Sequence, residues 1–274
     1  MDVDRFVCEL ASRERRAIGL CTIFATLANK AVLVGRNLDW IQRGGSIWFI
    51  PPQRLYGQMS LGLSLIEQMG TDRPYEGLNT AGLFVAMAAV ADSPLPPAAP
   101  GARMNSLGLI RYVLERASSV SEALETIRAF RLDYMAEKQY PKLHYLIADP
   151  SGEVLIYEES VQERLFTLRD NDSVAITNLT YDSPYQCPRL DQVRTSLSEG
   201  QVVDLQSAGN LLMAVSQDGT IWSGAYDLGA RVFSVWLERD YETAHTFSLE
   251  EHLSRGLHSV DFGTLRLPKW MAMQ

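Results

Sequence analysis

CTIFATLANKAVLVGRNLDW, Cys21–Trp40, sets two apolar segments around a short polar break and follows them with Arg36 and Asp39. Cys21–Leu27 and Lys30–Gly35 read as two strands about a turn at Ala28-Asn29. Cys21 then stands at the start of the first strand. Arg36 and Asp39 stand just past the end of the second, three residues apart, where both can turn back toward the sulfur. From spacing alone, the same two residues also read as a local surface ion pair.

Outward from this hairpin the chain alternates between strand and helix patterns. Residues 3–16 read as weakly helical; Ser46–Ile50 and Gln58–Ile66 read as strands. Glu76–Val90, EGLNTAGLFVAMAAV, reads as a Gly/Asn-rich turn followed by a strand buried on both faces. Asp92–Ala102, rich in Pro, Ala and Gly, reads as a long surface loop. Asn105–Arg116 and Ser121–Phe130 carry helical periodicity, with Leu107, Ile110, Leu114 and Ala117 on one face and Ala123, Leu124, Ile127 and Phe130 on the other helix's face. Ser119 or Ser121 caps the second. Leu143–Asp149 and Glu153–Glu159 form a hairpin about DPSG; ERLFTLRD and SVAITNLT add strands, Ser207–Val215 a helix, and IWSGAYD with RVFSVWLE a last hairpin about Leu228-Gly229. Strands, helices, many strands, a helix and strands again make an α+β pattern with sizeable antiparallel sheets.

Composition narrows the function. The 274 residues are 46% hydrophobic, enough for a full core, and the formal net charge of -8 argues against nucleic acid or an anionic membrane surface as partner. No apolar run reaches the ~20 residues of a membrane span. The first twenty residues lack the basic start and apolar core of an export signal. Three cysteines, Cys8, Cys21 and Cys187, are too few for a disulfide framework and lack metal spacing. Free thiols and no export signal point to the cytoplasm. No phosphate-binding glycine loop, G-x-S-x-G or HExxH is present, so neither cofactor nor metal is expected. Cys8 and Cys187 read as incidental, and His144, at a strand start, as a hydrogen-bonded structural histidine.

A cysteine nucleophile needs a base, and no histidine is placed by sequence beside Cys21. One solution is the nucleophile's own α-amine, whose pKa of about 7.7–8.0 leaves a useful fraction unprotonated at neutral pH. This requires the Leu20–Cys21 bond to be cut. An N-to-S acyl shift does that if the thiol attacks the Leu20 carbonyl, and Gly19 supplies a flexible turn just ahead of it. Asp39 then holds the α-amine, and Arg36 stabilises the thiolate or orients a carbonyl.

These residues carry a family resemblance. GLCTIF…GRNLDW resembles the start of the choloylglycine hydrolase, penicillin V acylase and acyl-CoA:6-aminopenicillanate acyltransferase group, in which a mature Cys-Thr is followed by G-R/Q-N-x-D. EGLNTAGLFVA, LHYLIADPSGEVLIYE, AITNLTYDSP and Asp218–Leu237 resemble later blocks of that group in order, so the likeness spans about Cys21 to Leu249. It implies an N-terminal-nucleophile hydrolase: a four-layer αββα sandwich of two mainly antiparallel sheets flanked by helices, with residues 1–20 a pro-segment and 21–274 one domain. Carried over, Cys21 is the nucleophile, Arg36 and Asp39 its neighbours, Asn178 an oxyanion donor, and Arg189 the arginine that follows this asparagine. Bile-salt hydrolases carry Asn and penicillin V acylases Tyr where this chain has Ala89, whose backbone N–H can still face an oxyanion. The short Asn178-to-Arg189 segment resembles the acyltransferases, although Leu20 stands where their precursors carry glycine. The implied substrate is a small acyl amide or acyl thioester, resolved by water or by an amine acceptor; assembly into a homo-oligomer stays open. Two other readings remain: a scaffold or binding protein that kept the sandwich without processing, and a cysteine peptidase using His144.

Overall fold

The computed structural model describes residues 21–55, 57–90, 102–133, 142–159 and 161–266. The expected helix at 3–16, Leu20, Cys8 and most of the Asp92–Ala102 loop lie outside these residues. The opening hairpin is β1 (Thr22–Ala28) and β2 (Ala31–Asp39). Its turn falls on Asn29-Lys30, one residue later than the sequence reading, and both residues have positive φ, 52° and 65°. Two left-handed residues match the twist of the flanking strands, which Ala28 would resist.

The chain continues through β3 (Ser46–Ile50), the short pair β4 (Arg54–Leu55) and β5 (Gln58–Met59), and β6 (Leu63–Glu67). The single strand expected over Gln58–Ile66 is thus interrupted before Leu63. EGLN is itself a strand, β7 (Glu76–Asn79), not a turn, and it pairs with β8 (Phe84–Val90). The turn lies just beyond it, where Asn79 Oδ1 accepts from the N–H groups of Ala81 and Leu83, both at 3.0 Å. Next come β9 (Arg103–Asn105), α1 (Gly108–Leu114), α2 (Val120–Arg128) and β10 (Arg131–Asp133). The helix expected from Asn105 starts later because Arg103–Asn105 pairs in parallel with β10. Ser119 is the N-cap of α2, accepting from Glu122 N–H.

Beyond these lie β11 (Lys142–Ala148), β12 (Glu153–Glu158), β13 (Gln162–Thr167) and β14 (Ser173–Ile176). Two helices follow, α3 (Pro188–Ser198) and α4 (Leu205–Ala214), then β15 (Thr220–Asp227) and β16 (Val232–Leu237). The described chain ends with β17 (His245–Ser248), α5 (Leu249–Ser254), β18 (His258–Asp261) and α6 (Phe262–Leu265). The sequence reading assigns no element to Pro188–Ser198, although Pro188 at its first turn is a helix-start signal.

Two antiparallel sheets organise these elements: β14-β1-β2-β15-β16-β17 and β13-β12-β11-β8-β7-β6-β3-β18. Alternation along each strand divides the interior. Ile23, Val32, Val34 and Leu38 join β8 and β11 side chains in the core between the sheets. Phe24, Leu33 and Trp236 pack with Val193, Leu197 and Leu212 of α3 and α4. Ile110, Val113, Ala123 and Ile127 of α1 and α2 cover the outer face of the larger sheet. The result is the expected αββα sandwich.

The glycine of the G-R-N-x-D block has a packing reason. Gly35 lies opposite Phe24, whose ring covers it, and a Cβ there would sit 2.2 Å from Phe24 Cζ. Gly35→Ala is therefore expected to lower stability by about 1–3 kcal/mol through overpacking, read as a shift in urea midpoint. An unchanged midpoint would show that the ring moves aside freely.

Candidate active site

Cys21 precedes β1 and is only 2% exposed. Its side chain belongs to the core between the sheets. The β1–β14 register pairs Ile23 with Ile176, and Asn178 lies two residues past the end of that pairing. β2 runs through both Arg36 and Asp39, correcting the reading that placed them past its end. Three apart in a strand, they take opposite faces. Arg36 shares the inner face with Cys21, and its Nη2 lies 3.9 Å from Sγ. Asp39 lies on the other face and reaches Cys21 differently, through Arg189, which its carboxylate meets and which donates to the Cys21 carbonyl.

Arg36 is fully buried, which is tolerable only with a counter-charge. Glu76 of β7 supplies it from the opposite sheet, as an ion pair with Arg36 Nη1, and the Tyr75 carbonyl accepts from the same nitrogen at 3.0 Å. Glu76 is fixed in turn by Tyr226 OH at 2.6 Å and Trp222 Nε1 at 3.2 Å. The guanidinium lies 5.8 Å from the Trp222 ring centroid. Burial alone would disfavour the arginine's charge, but Glu76, Cys21 and Tyr226 together outweigh it and the pKa is held above its usual value. Sequence reading missed Glu76 as a site residue; the available signal was a carboxylate opening an otherwise apolar, fully buried run.

Burial pushes the Cys21 thiol above its ordinary pKa; the Arg36 charge pulls the other way and only partly offsets it. The sulfur at rest is thus a thiol and needs a proton acceptor to attack. Asp39 is pushed up to about 6 by burial, against hydrogen bonds from Thr220 Oγ1 and Gln217 Nε2 and the nearby Arg189 charge. Arg189, near the start of α3, donates to the Cys21 carbonyl at 3.0 Å and to Thr22 Oγ1 at 2.9 Å, and lies 3.9 Å from the Asp39 carboxylate. One guanidinium therefore ties the first two residues of the described chain to the end of β2.

Asn178 lies two residues beyond β14, and its Nδ2 donates to the Ala89 carbonyl at 2.9 Å. Met87 N–H donates to Tyr75 O, so the strand period puts both the N–H and C=O of Ala89 on that same edge, past the end of β7. Among the described residues no hydrogen bond joins His144 to Cys21. Its Nδ1 meets Glu158 Oε1 at 2.9 Å and its Nε2 meets the Thr177 carbonyl at 2.7 Å, so both ring nitrogens are committed. That removes the geometric basis for a His144 peptidase. Cys187 is the N-cap residue of α3. Among the described residues no cluster of three metal-ligating side chains occurs, and no helix is long and apolar enough to cross a membrane.

The Asp39 carboxylate makes a prediction about stability. Its folded-state pKa of about 6 exceeds the ordinary 3.8, so this group favours the folded state below about pH 4 and that advantage is lost as pH rises through about 6. Asp39→Asn removes the titration. Wild-type stability relative to the variant should fall by about 2 kcal/mol between about pH 4 and pH 7, measured by urea unfolding at both values. A difference that stays flat with pH contradicts the assignment.

Comparison with known proteins agrees with this architecture. The profile described as linear amide C-N hydrolases, choloylglycine hydrolase family, matches residues 21–217. The fold is similar to penicillin V acylase from Agrobacterium tumefaciens, at 19% identity over 83% of this chain and 85% of that one, with a TM-score of 0.62. It is also similar to a mutant of the conjugated bile acid hydrolase from Clostridium perfringens (14% identity, 88% and 96% covered, TM-score 0.63). A third likeness is to the Caenorhabditis elegans ortholog of N-acylethanolamine-hydrolyzing acid amidase (16%, 76% and 93%, TM-score 0.55). No curated protein sequence matches the chain. With the profile covering well over half its length, the chain belongs to the linear amide C–N hydrolases of the choloylglycine hydrolase family and has the N-terminal-nucleophile hydrolase fold.

Proposed function

We propose that this chain is an autoprocessing cysteine hydrolase of a linear, non-peptide acyl amide or acyl thioester, with Cys21 as its mature first residue. The observation that carries the reading is the convergence on Cys21 of Arg36 at the sulfur and Arg189 at the carbonyl, at the residue where the family match begins. In processing, the Cys21 sulfur attacks the Leu20 carbonyl, the C–N bond breaks, and the α-amine leaves with the proton. Water then hydrolyses the resulting thioester and releases residues 1–20. In turnover the α-amine takes the thiol proton while sulfur bonds to the substrate carbonyl. Collapse of the tetrahedral intermediate expels the leaving group, which recovers that proton.

The developing oxyanion faces preorganised donors: the second N–H of the Asn178 amide, whose first is used on Ala89 O, and the Ala89 backbone N–H. Arg36 favours the thiolate as it forms. Asp39, ionised above about pH 6, holds Arg189 and the released α-ammonium. The acyl-enzyme is resolved by water, or by an amine acceptor if one is bound where water is excluded.

Intact-mass analysis of the purified protein should show a chain beginning at Cys21, and Cys21→Ala should stay full length and inert toward a panel of N-acyl amides and acyl thioesters. Turnover by Cys21→Ala would overturn the reading. An added primary amine that converts free acid product into acyl amide identifies a transferase; unchanged products identify a hydrolase. A full-length wild-type chain, unreactive toward thiol probes and all substrates, would favour the scaffold reading.

A further inference from the structure

Asn178 stands outside the sheet ladder, so something other than strand pairing must hold its amide in place. β14 ends at Ile176, and Thr177–Tyr181 runs on without a partner strand among the described residues. The segment is gripped at both ends by one side-chain pair from the other sheet. His144 of β11 donates through Nε2 to the Thr177 carbonyl at 2.7 Å, immediately before Asn178. Glu158 of β12 meets His144 Nδ1 at 2.9 Å, and the same Oε1 accepts from Tyr181 N–H at 3.0 Å, three residues after Asn178. Its other oxygen accepts from Gln162 Nε2 at 2.9 Å. The His144 and Glu158 side chains are buried to 0% and 1% exposure. Both ring nitrogens face oxygen, so both are used within this clamp.

We propose that the His144–Glu158 pair is the positioning unit of the Asn178 oxyanion donor: it clamps Thr177 and Tyr181 so that the amide between them faces the carbonyl under attack by Cys21. The inference rests on Asn178 having that oxyanion role. His144 touches neither substrate nor sulfur and acts only through Thr177. Geometry of this kind matters because a donor displaced by about an ångström loses most of its effect on the transition state.

Two reagents separate positioning from folding and from nucleophilicity. Acylation of Cys21 by p-nitrophenyl acetate passes through an oxyanion; alkylation by iodoacetamide does not. Rates of both are read by intact mass on the processed protein. His144→Asn keeps a nitrogen near the Nδ1 position, facing Glu158, and loses the donor to Thr177. His144→Gln keeps a nitrogen near the Nε2 position and with it that donor. Expected are a fall in acylation of about 10²-fold for Asn178→Ala and for His144→Asn, acylation near wild type for His144→Gln, and unchanged alkylation throughout. Acylation lost equally in both His144 variants, or lost in neither while Asn178→Ala is slow, overturns the clamp. An Asn178→Ala protein that acylates normally, or a wild-type Cys21 inert to both reagents, overturns the reading beneath it. Should His144→Asn fail to fold, hydrogen exchange on the wild-type protein decides: the Tyr181 amide should exchange ~10²-fold more slowly than an open loop amide. Exchange at the open-loop rate contradicts the clamp.

Discussion

A buried arginine in a core needs a partner, and here that need joins the two sheets. Arg36 extends from β2 of one sheet into the interior, and Glu76 reaches it from β7 of the other. Tyr226 and Trp222 of β15 complete the shell around the carboxylate. Removing either partner would strand a charge in the core, at about 3–5 kcal/mol. The pair's geometry leaves the other terminal nitrogen, Nη2, 3.9 Å from Cys21 Sγ. A pair of apolar residues could fill the same space but would not present a cation to the sulfur.

Around that pair the site is assembled from three directions. β1 brings the cysteine, β2 the cation and the Asp39 carboxylate, and α3 brings Arg189 across the outer face to hold the Cys21 carbonyl. Burial then sets the chemistry. It raises the thiol's pKa beyond what Arg36 recovers, so the sulfur depends on a nearby base. Both nitrogens of His144 are occupied elsewhere. In the proposed mechanism a released α-amine on Cys21 itself serves as the base, and it needs no further residue.

Much of this was legible from local pattern. Alternation and turn residues marked the β1–β2, β11–β12 and β15–β16 hairpins, and the order of blocks tied Cys21, Arg36, Asp39, Asn178 and Arg189 to one site. What escaped was set by distant contacts. Glu76 meets Arg36 across forty residues of chain. Other block residues prove to be scaffold. Asn79 caps the end of α1 by donating to the carbonyls of Leu114 and Ala117. Asp149 holds both the β11–β12 turn, through Ser151 N–H, and the first N–H of α2, at Val120. The short strands β17 and β18 have largely half-exposed faces and carry too little apolar alternation to register as strands in sequence. Arg36 and Asp39 read together as residues past a strand end, and their opposite faces follow only from β2 continuing through both.

The central claim is that the α-nitrogen of Cys21 accepts the thiol proton. It is tested most directly on the processed protein by protecting the sulfur as a mixed disulfide, carbamoylating the α-amine with cyanate at mildly acidic pH, where lysine ammonium groups react slowly, to give a non-basic urea, and then releasing the thiol. Comparing Cys21 acylation in capped and uncapped protein isolates the amine, with far-UV circular dichroism as the check on folding. The account predicts a folded, capped protein whose acylation is lost, by about 10²–10⁴-fold as expected for removing a general base. Acylation at the uncapped rate would show that the proton goes elsewhere.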